Sequence, residues 1–345
     1  MRIRSTRLPR QVLAATLVLA LAAGCSSSSE ADQPDADGLT KVSVGATAPS
    51  LSYGVLLAML ALDLDAKHGL EVEYNATGTS STVVMSGLLS GEFDFAQAAS
   101  STALDAISQG APAQILAATF KHGSTMVMRK EQTAELAPIT PKSSIGERVA
   151  ALKGLTIATT PPGSGTNLLL RSIIEDYGMD PDKDMKIIGV SEPSAMIAGI
   201  DQGKFDAAIF GTGSIEQTIA DGSADLWFTV GVDDTKGISD LRGLSLISTT
   251  KYAESNGDVV EAFRDALAEA GDAIRKDPDG VGAKIKAEFF PDFKDELWNV
   301  AWPNVIGAYP TDVSFPKSSF DGFEKLAPKK YGVSYDDAVY PAARG

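Results

Sequence analysis

A six-residue pattern that occurs twice, Gly91-Glu92-Phe93-Asp94-Phe95-Ala96 and Gly203-Lys204-Phe205-Asp206-Ala207-Ala208, constrains this chain more than any other feature. Each copy stands between an apolar helical pattern and a short apolar strand pattern. A second glycine follows 19 positions later in both copies, at Gly110 and Gly222, and a hydroxyl lies 12 positions ahead in both, at Thr79 and Ser191. Spacing matched on both sides implies two halves built on one supersecondary plan. The unit reads strand, small polar loop, helix, glycine, strand, small polar loop, helix, glycine.

Strands that alternate with helices favour parallel α/β layers. Strands are expected near 42–46, 71–74, 93–96 and 114–119 in the first half, and near 156–160, 186–190, 207–210 and 226–230 in the second. After Asp240 the pattern changes to one more strand at 244–249, a helical stretch at 259–274 and further helices with no counterpart, which are placed back on the first half. The fold class is therefore α/β with two lobes, each a mostly parallel sheet flanked by helices. Lobe 1 comprises 40–125 and 241–345, and lobe 2 comprises 126–240. The chain crosses between them near 120–130 and 231–244, and two crossings make a hinge.

The first 24 residues read as an export signal: Arg2, Arg4, Arg7 and Arg10 precede a short apolar run from Val12 to Ala23. That run falls short of the roughly 20 apolar residues needed to span a membrane. Leu21-Ala22-Ala23-Gly24-Cys25 resembles a bacterial lipobox, which implies cleavage before Cys25 and lipidation of its thiol. An ordinary secretory cleavage that leaves a free thiol is the alternative. Cys25 is the only cysteine, so no internal disulfide forms. Residues 25–39 are polar, acidic and poor in large apolar side chains, as expected of a tether. Loss of the four leader arginines from 30 basic residues leaves 26 against 45 acidic ones, a net charge of −19. Nucleic acid is not expected as a partner of such a chain.

In an open α/β sheet the ligand site lies beyond the carboxyl ends of the strands, where loops lead into helix N-termini. The loops in question, 47–54, 77–82, 98–102, 160–167, 191–194 and 211–214, are nearly all rich in Gly, Ser and Thr. They supply the candidate ligand residues Ser50, Ser52, Tyr53, Thr79 and Ser80, followed by Ser100, Ser101, Ser164, Thr166 and Thr212. Any one hydroxyl at such a position can equally be a helix cap. Several helix starts converging on one cleft favour an anionic group. Glu192 opposes that reading unless it meets an amine or points outward. His122, at the first crossing, is a further candidate. Ser100 and Thr212 each stand nine positions after the leading glycine of their repeat, and they are expected to face each other across the cleft.

Tyr53, Phe120, Phe210, Trp227 and Trp302 lie near strand ends or loops, where core packing is their first expectation. The Gly-rich run 161–166 lacks the lysine of a phosphate-binding loop and the full dinucleotide fingerprint. Only two histidines are present, and His68 is read as a solvent-facing helix end. With no GxSxG elbow, no HExxH and no metal-spaced Cys or His cluster, the chain is expected to be a binder with no cofactor and no metal. A carboxylate-based enzyme is the remote alternative.

Several runs carry a family likeness. Lys67-His68-Gly69-Leu70-Glu71-Val72-Glu73 and Leu89-Ser90-Gly91-Glu92-Phe93-Asp94-Phe95, then Leu152-Lys153-Gly154-Leu155-Thr156-Ile157-Ala158, Pro162-Gly163-Ser164 and the second repeat copy, resemble the solute-binding proteins for sulfonates, taurine and nitrate, a family that includes thiamine-pyrimidine binders. The likeness covers roughly residues 40–290. It implies a type II periplasmic-binding-protein fold, a cleft between the lobes and delivery of a small molecule to an ABC permease; the lipobox-like run adds an anchor at the outer face of the cell membrane, and a monomer is expected. The likeness also implies ligand contacts at Ser50, Ser52, Ser80, Ser100, Ser164 and Thr212. Phe210-Gly211-Thr212-Gly213 stands where many relatives have a Trp-x-Pro-like element, and the cysteine-rich motif of the pyrimidine-synthase relatives is absent. The expected ligand is a small organic anion, a sulfonate or carboxylate that can be aromatic. The alternative is a neutral or amine-bearing heterocycle recognised partly by Glu192.

Overall fold

The computed structural model describes residues 38–345 apart from 79, 237, 239 and 328. The leader, Cys25 and all but the end of the tether lie outside the described residues. Ten strands form two sheets: β1 (Thr40–Thr47), β2 (Leu70–Gly78), β3 (Phe95–Ala99), β4 (Ala113–Lys121), β5 (Ser124–Arg129), β6 (Thr156–Thr159), β7 (Lys186–Gly189), β8 (Ala207–Gly211), β9 (Ala224–Val230) and β10 (Arg242–Thr249). The first sheet has the order β2-β1-β3-β10-β4 and the second β7-β6-β8-β5-β9, so the two match strand for strand. In each, four strands run one way. The fifth, β10 or β5, arrives from the other lobe and enters antiparallel to both neighbours.

The repeated motif is the joint of each half. Gly91 and Gly203 have φ of 79° and 66°, left-handed values that end the preceding helices without a Cβ clash. Two residues on, Phe93 packs on Gly87 and Gly45, while Phe205 packs on Gly199; a Cβ at any of those glycines would collide with the ring. The next residue clamps the neighbouring parallel strand, β1 in the first sheet and β6 in the second. Asp94 accepts from Ser43 N and Ser43 Oγ, both at 2.8 Å, and Asp206 accepts from Thr156 N at 2.8 Å. Glycine, phenylalanine and aspartate thus each have a separate mechanical role, which is why the triplet recurs.

The helices Gly54–Ala61 and Gly257–Lys276 cover one face of the first sheet, the latter with Val260, Phe263, Leu267 and Ile274 buried. The C-terminal helix Lys317–Leu326 also reaches lobe 2, where Lys325 Nζ lies 2.8 Å from Asp176 Oδ1. His68 is not a free solvent-facing group. Its Nε2 lies 2.9 Å from Glu269 Oε2, and Lys67 and His68 together hold the Glu269 carboxyl below its usual range. Trp227 and Trp302 are buried in the core, as are Tyr53 and Phe120, whereas Phe210 is half-buried.

Candidate functional site

The two crossings run side by side. His122 N donates to Leu241 O at 2.6 Å, and a Cβ on Gly243 would sit 2.8 Å from His122 Cα, so the strands approach this closely only because residue 243 is glycine. The carboxyl ends of β1, β3, β6 and β8 open around this junction. Two cavities of about 270 and 260 Å³ meet there, and His122 lines both.

The first cavity lies between the lobes. Lobe 1 contributes Ser50 and Ser52 from the loop after β1, and Phe120 and Lys121 from the end of β4; lobe 2 contributes Thr212 and Ser214 from the loop after β8. Three tyrosines fix the loop after β1. Tyr53 Oη is 2.8 Å from Thr47 Oγ1, Tyr74 Oη donates to Thr47 O at 2.7 Å, and Tyr309 Oη donates to Leu51 O at 2.6 Å. Burial raises the pKa of all three phenols, so they remain protonated. Ser50 caps the Leu51–Tyr53 turn, and its Oγ is 3.0 Å from Ser52 Oγ. Lys121, whose Nζ lies 3.8 Å from Asp240 Oδ1, is the one charged side chain lining this cavity among the described residues.

The loop after β8 is anchored by Glu216, a residue no sequence signal had marked. Its carboxylate is 1% exposed and accepts from Gly213 N at 2.8 Å, Ile215 N at 3.0 Å and Thr125 Oγ1 at 2.8 Å. Thr212 Oγ1 lies 3.1 Å from Thr125 Oγ1 in the same chain of hydroxyls. Two backbone N–H groups of this loop, those of Gly213 and Ile215, are therefore taken by an internal carboxylate and not offered to an anion.

The second cavity lies between the Ser100–Ser108 helix, the start of the Gly165–Asp176 helix and the C-terminal segment. Ser101 and Asp105 line it from lobe 1, Gly163 and Gly165 from lobe 2, and Tyr331 from the C-terminal segment. Ser164 stands at the N-cap position without capping. Its Oγ contacts Thr160 Oγ1 and donates to Pro161 O at 2.6 Å, which leaves the first N–H groups of the helix without a side-chain partner. Thr166 is half-buried beside them. His122 keeps some exposed surface, but its Nδ1 is buried without a hydrogen-bond partner, and burial lowers its pKa from the ordinary 6.5. The imidazole is thus neutral at pH 7.

Six of the expected positions line neither cavity: Tyr53, Ser164 and Thr166, which stand beside the lining residues, and Ser80, Ser100 and Glu192, which fall away from them. Ser100 does not face Thr212: it is 0% exposed and turned into lobe 1, with its Oγ 2.7 Å from Ser245 Oγ. The cause is β10, whose insertion beside β3 brings Ser245 beneath the helix start. Ser80 is exposed and caps its own helix through Val83 N, and Glu192 is exposed and outside both cavities. Thr79 lies outside the described residues. Ser214 lies in the 211–214 loop that the sequence marked, whereas Asp105, Lys121 and Tyr331 were not anticipated as lining residues. Only Lys121, beside a candidate histidine at a crossing, had a position that could have pointed to it.

Residues 35–282 match the NMT1-like family, and the chain belongs to that family. Solved structures share the two-lobed periplasmic-binding-protein fold at low sequence identity. The aliphatic sulphonate-binding protein SsuA of Escherichia coli is 16% identical, with 85% of this chain and 95% of that one covered at a TM-score of 0.60. The alkanesulfonate-binding protein SsuA of Xanthomonas axonopodis pv. citri, bound to MOPS, is 16% identical, with 88% and 98% covered at 0.57. The nitrate-binding protein NrtA of Synechocystis is 19% identical, with 78% and 69% covered at 0.51. No curated protein sequence matches the chain.

Proposed function

We propose that the chain is the extracytoplasmic solute-binding subunit of an ABC importer, tethered by lipid at Cys25, which captures a small organic anion between its lobes and performs no chemistry on it. The observation that carries this reading is the interlobe cavity, where Lys121 and the hydroxyls of Ser50, Ser52, Thr212 and Ser214 converge from both lobes with no carboxylate in the lining. The sulfonate- and nitrate-binding proteins that share the fold support the same class of ligand. A ligand drives closure only through contacts that the open form lacks, and a cavity walled by both lobes supplies them. Closure would then present a loaded receptor to the permease.

Calorimetric titration of the mature protein with alkanesulfonates, carboxylates and nitrate tests the reading. One-to-one binding is expected for at least one anion, weakened about tenfold or more in Lys121→Met as a charge-assisted contact is lost. Tight binding of a cation with no anion bound would reject it. Intact mass of the membrane-associated protein tests the anchor, with a diacylated chain beginning at Cys25 expected and an unmodified thiol counting against it.

A further inference from the structure

The two cavities that meet at His122 differ in sign. Among the described residues, Lys121 is the charged residue of the first, with no carboxylate in the lining and its one ion-pair partner, Asp240, outside it at 3.8 Å. Asp105 is the charged residue of the second, with no lysine or arginine in the lining. Ser101 and Asp105 stand four apart on one helix and therefore project from the same face. Among the described residues the Asp105 carboxylate has neither an ion pair nor a hydrogen bond. Tyr331 faces the same space from the C-terminal segment, and His122 presents a neutral ring whose buried Nδ1 has no partner.

A carboxylate, two hydroxyls and a neutral imidazole ring surround one space in which, among the described residues, the carboxylate carries the one formal charge of the lining. Asp105 is an exposed residue whose partial desolvation raises its pKa, and burial together with the Asp105 charge pushes the Tyr331 phenol up to about 12. Both shifts arise first from desolvation, and an entering N–H donor would give the carboxylate the partner it lacks. Glu324 adds to the negative field on Tyr331. The start of the Gly165–Asp176 helix also faces the cavity through Gly165, but its N–H groups carry only a partial positive charge.

We infer that this second cavity is a subsite for an amino or ammonium group of the ligand, read by Asp105 with Ser101, Tyr331 and His122 around it. The assignment rests on the cleft being the ligand site. It narrows the ligand from a plain anion to a bifunctional molecule, acidic at the Lys121 end and N–H-bearing at the Asp105 end. It also moves amine recognition from Glu192, which lies outside, to a residue on the opposite lobe.

The test uses matched pairs that differ only by an amino group: ethanesulfonate against taurine, butyrate against gamma-aminobutyrate, and pyrimidine against aminopyrimidine. Each is titrated into the mature wild-type protein and into Asp105→Asn, with denaturant unfolding of the variant as the folding control. The amino member of a pair should bind about tenfold or more tightly, as expected for a hydrogen bond to a charged group. Asp105→Asn should abolish that preference while leaving the affinity for the plain member unchanged. Equal affinity within every pair would overturn the inference, mark Asp105 as a solvated surface charge and leave the anion reading intact. Binding of aminopyrimidine alone, lost in Asp105→Asn, would support the inference and overturn the anion reading. No binding by any member would remove both.

Discussion

The loops that follow β3 and β8 occupy the same place in the repeat yet are held in opposite ways. After β3 the chain enters its helix at once, and Ser100 is consumed by a hydroxyl pair with Ser245 inside lobe 1. After β8 it makes a glycine-flanked turn that is held from below by the buried Glu216 carboxylate, and Thr212 remains at the cavity wall. The repeat therefore preserves the joint formed by glycine, phenylalanine and aspartate without preserving the chemistry of the loop above it. Lobe 1 shapes its side of the cleft with tyrosines pinned to backbone carbonyls; lobe 2 shapes its side with one buried charge.

The sharpest way to break the comparison is to remove that charge. Glu216→Ala leaves two backbone N–H groups and the Thr125 hydroxyl without their acceptor, and it should cost about 3 kcal/mol of stability. Denaturant midpoints measure this, and a loss below about 1 kcal/mol would mean that the turn is held by something else. Next comes the matched pair. Thr212→Val should weaken ligand binding about tenfold, while Ser100→Ala should leave affinity within about twofold and cost about 1 kcal/mol of stability. The double variant Ser100→Ala with Ser245→Ala should recover most of that cost, because no buried hydroxyl is then left unpaired. If Ser100→Ala weakens binding as much as Thr212→Val does, the two loops are functionally equivalent after all.

The smallest effect concerns His122, where the two loops meet. In the unfolded chain the imidazole titrates at the ordinary 6.5, and in the folded chain burial holds it lower. Between those two values only the unfolded chain takes up the proton. Stability should therefore be flat above about pH 6.5 and fall as the pH drops through that window. Melting temperatures between neutral and mildly acidic pH should fall less in His122→Gln than in the wild type. Parallel profiles would show that other groups set the dependence.

Eight of the ten strands were legible because each is a short apolar run that begins or ends near a glycine, a proline or a small polar loop, and β10 because it stands alone after Asp240. β5 was not. Only His122 and Gly123 separate it from β4, so from Gln114 to Met128 the sequence reads as one long strand entering a crossing. Candidate residues local to a loop, such as Ser50, Ser52 and Thr212, were found at a cavity wall. Ser100 misled because its partner lies 145 residues away, and Glu216 was invisible because a lone glutamate in a polar turn looks solvated until Thr125 is packed under it. Asp105 and Tyr331 are brought together by the C-terminal segment, whose path the repeat does not predict.

The entry of β10 between β3 and β4 also imposes an order of assembly. The second sheet draws all its strands from residues 124–230, so it can close as soon as that stretch is free to fold. The first sheet cannot. Its β3 and β4 pair only through β10, which follows more than a hundred residues later, so the first sheet has an open slot between β3 and β4 until the second lobe has been traversed. Pairings at such sequence separation form slowly. A chain that ends at Asp240 should accordingly protect the amides of β6, β8 and β5 from hydrogen exchange while those of β3 and β4 exchange freely, and a chain that emerges N-terminus first would complete its second lobe before its first.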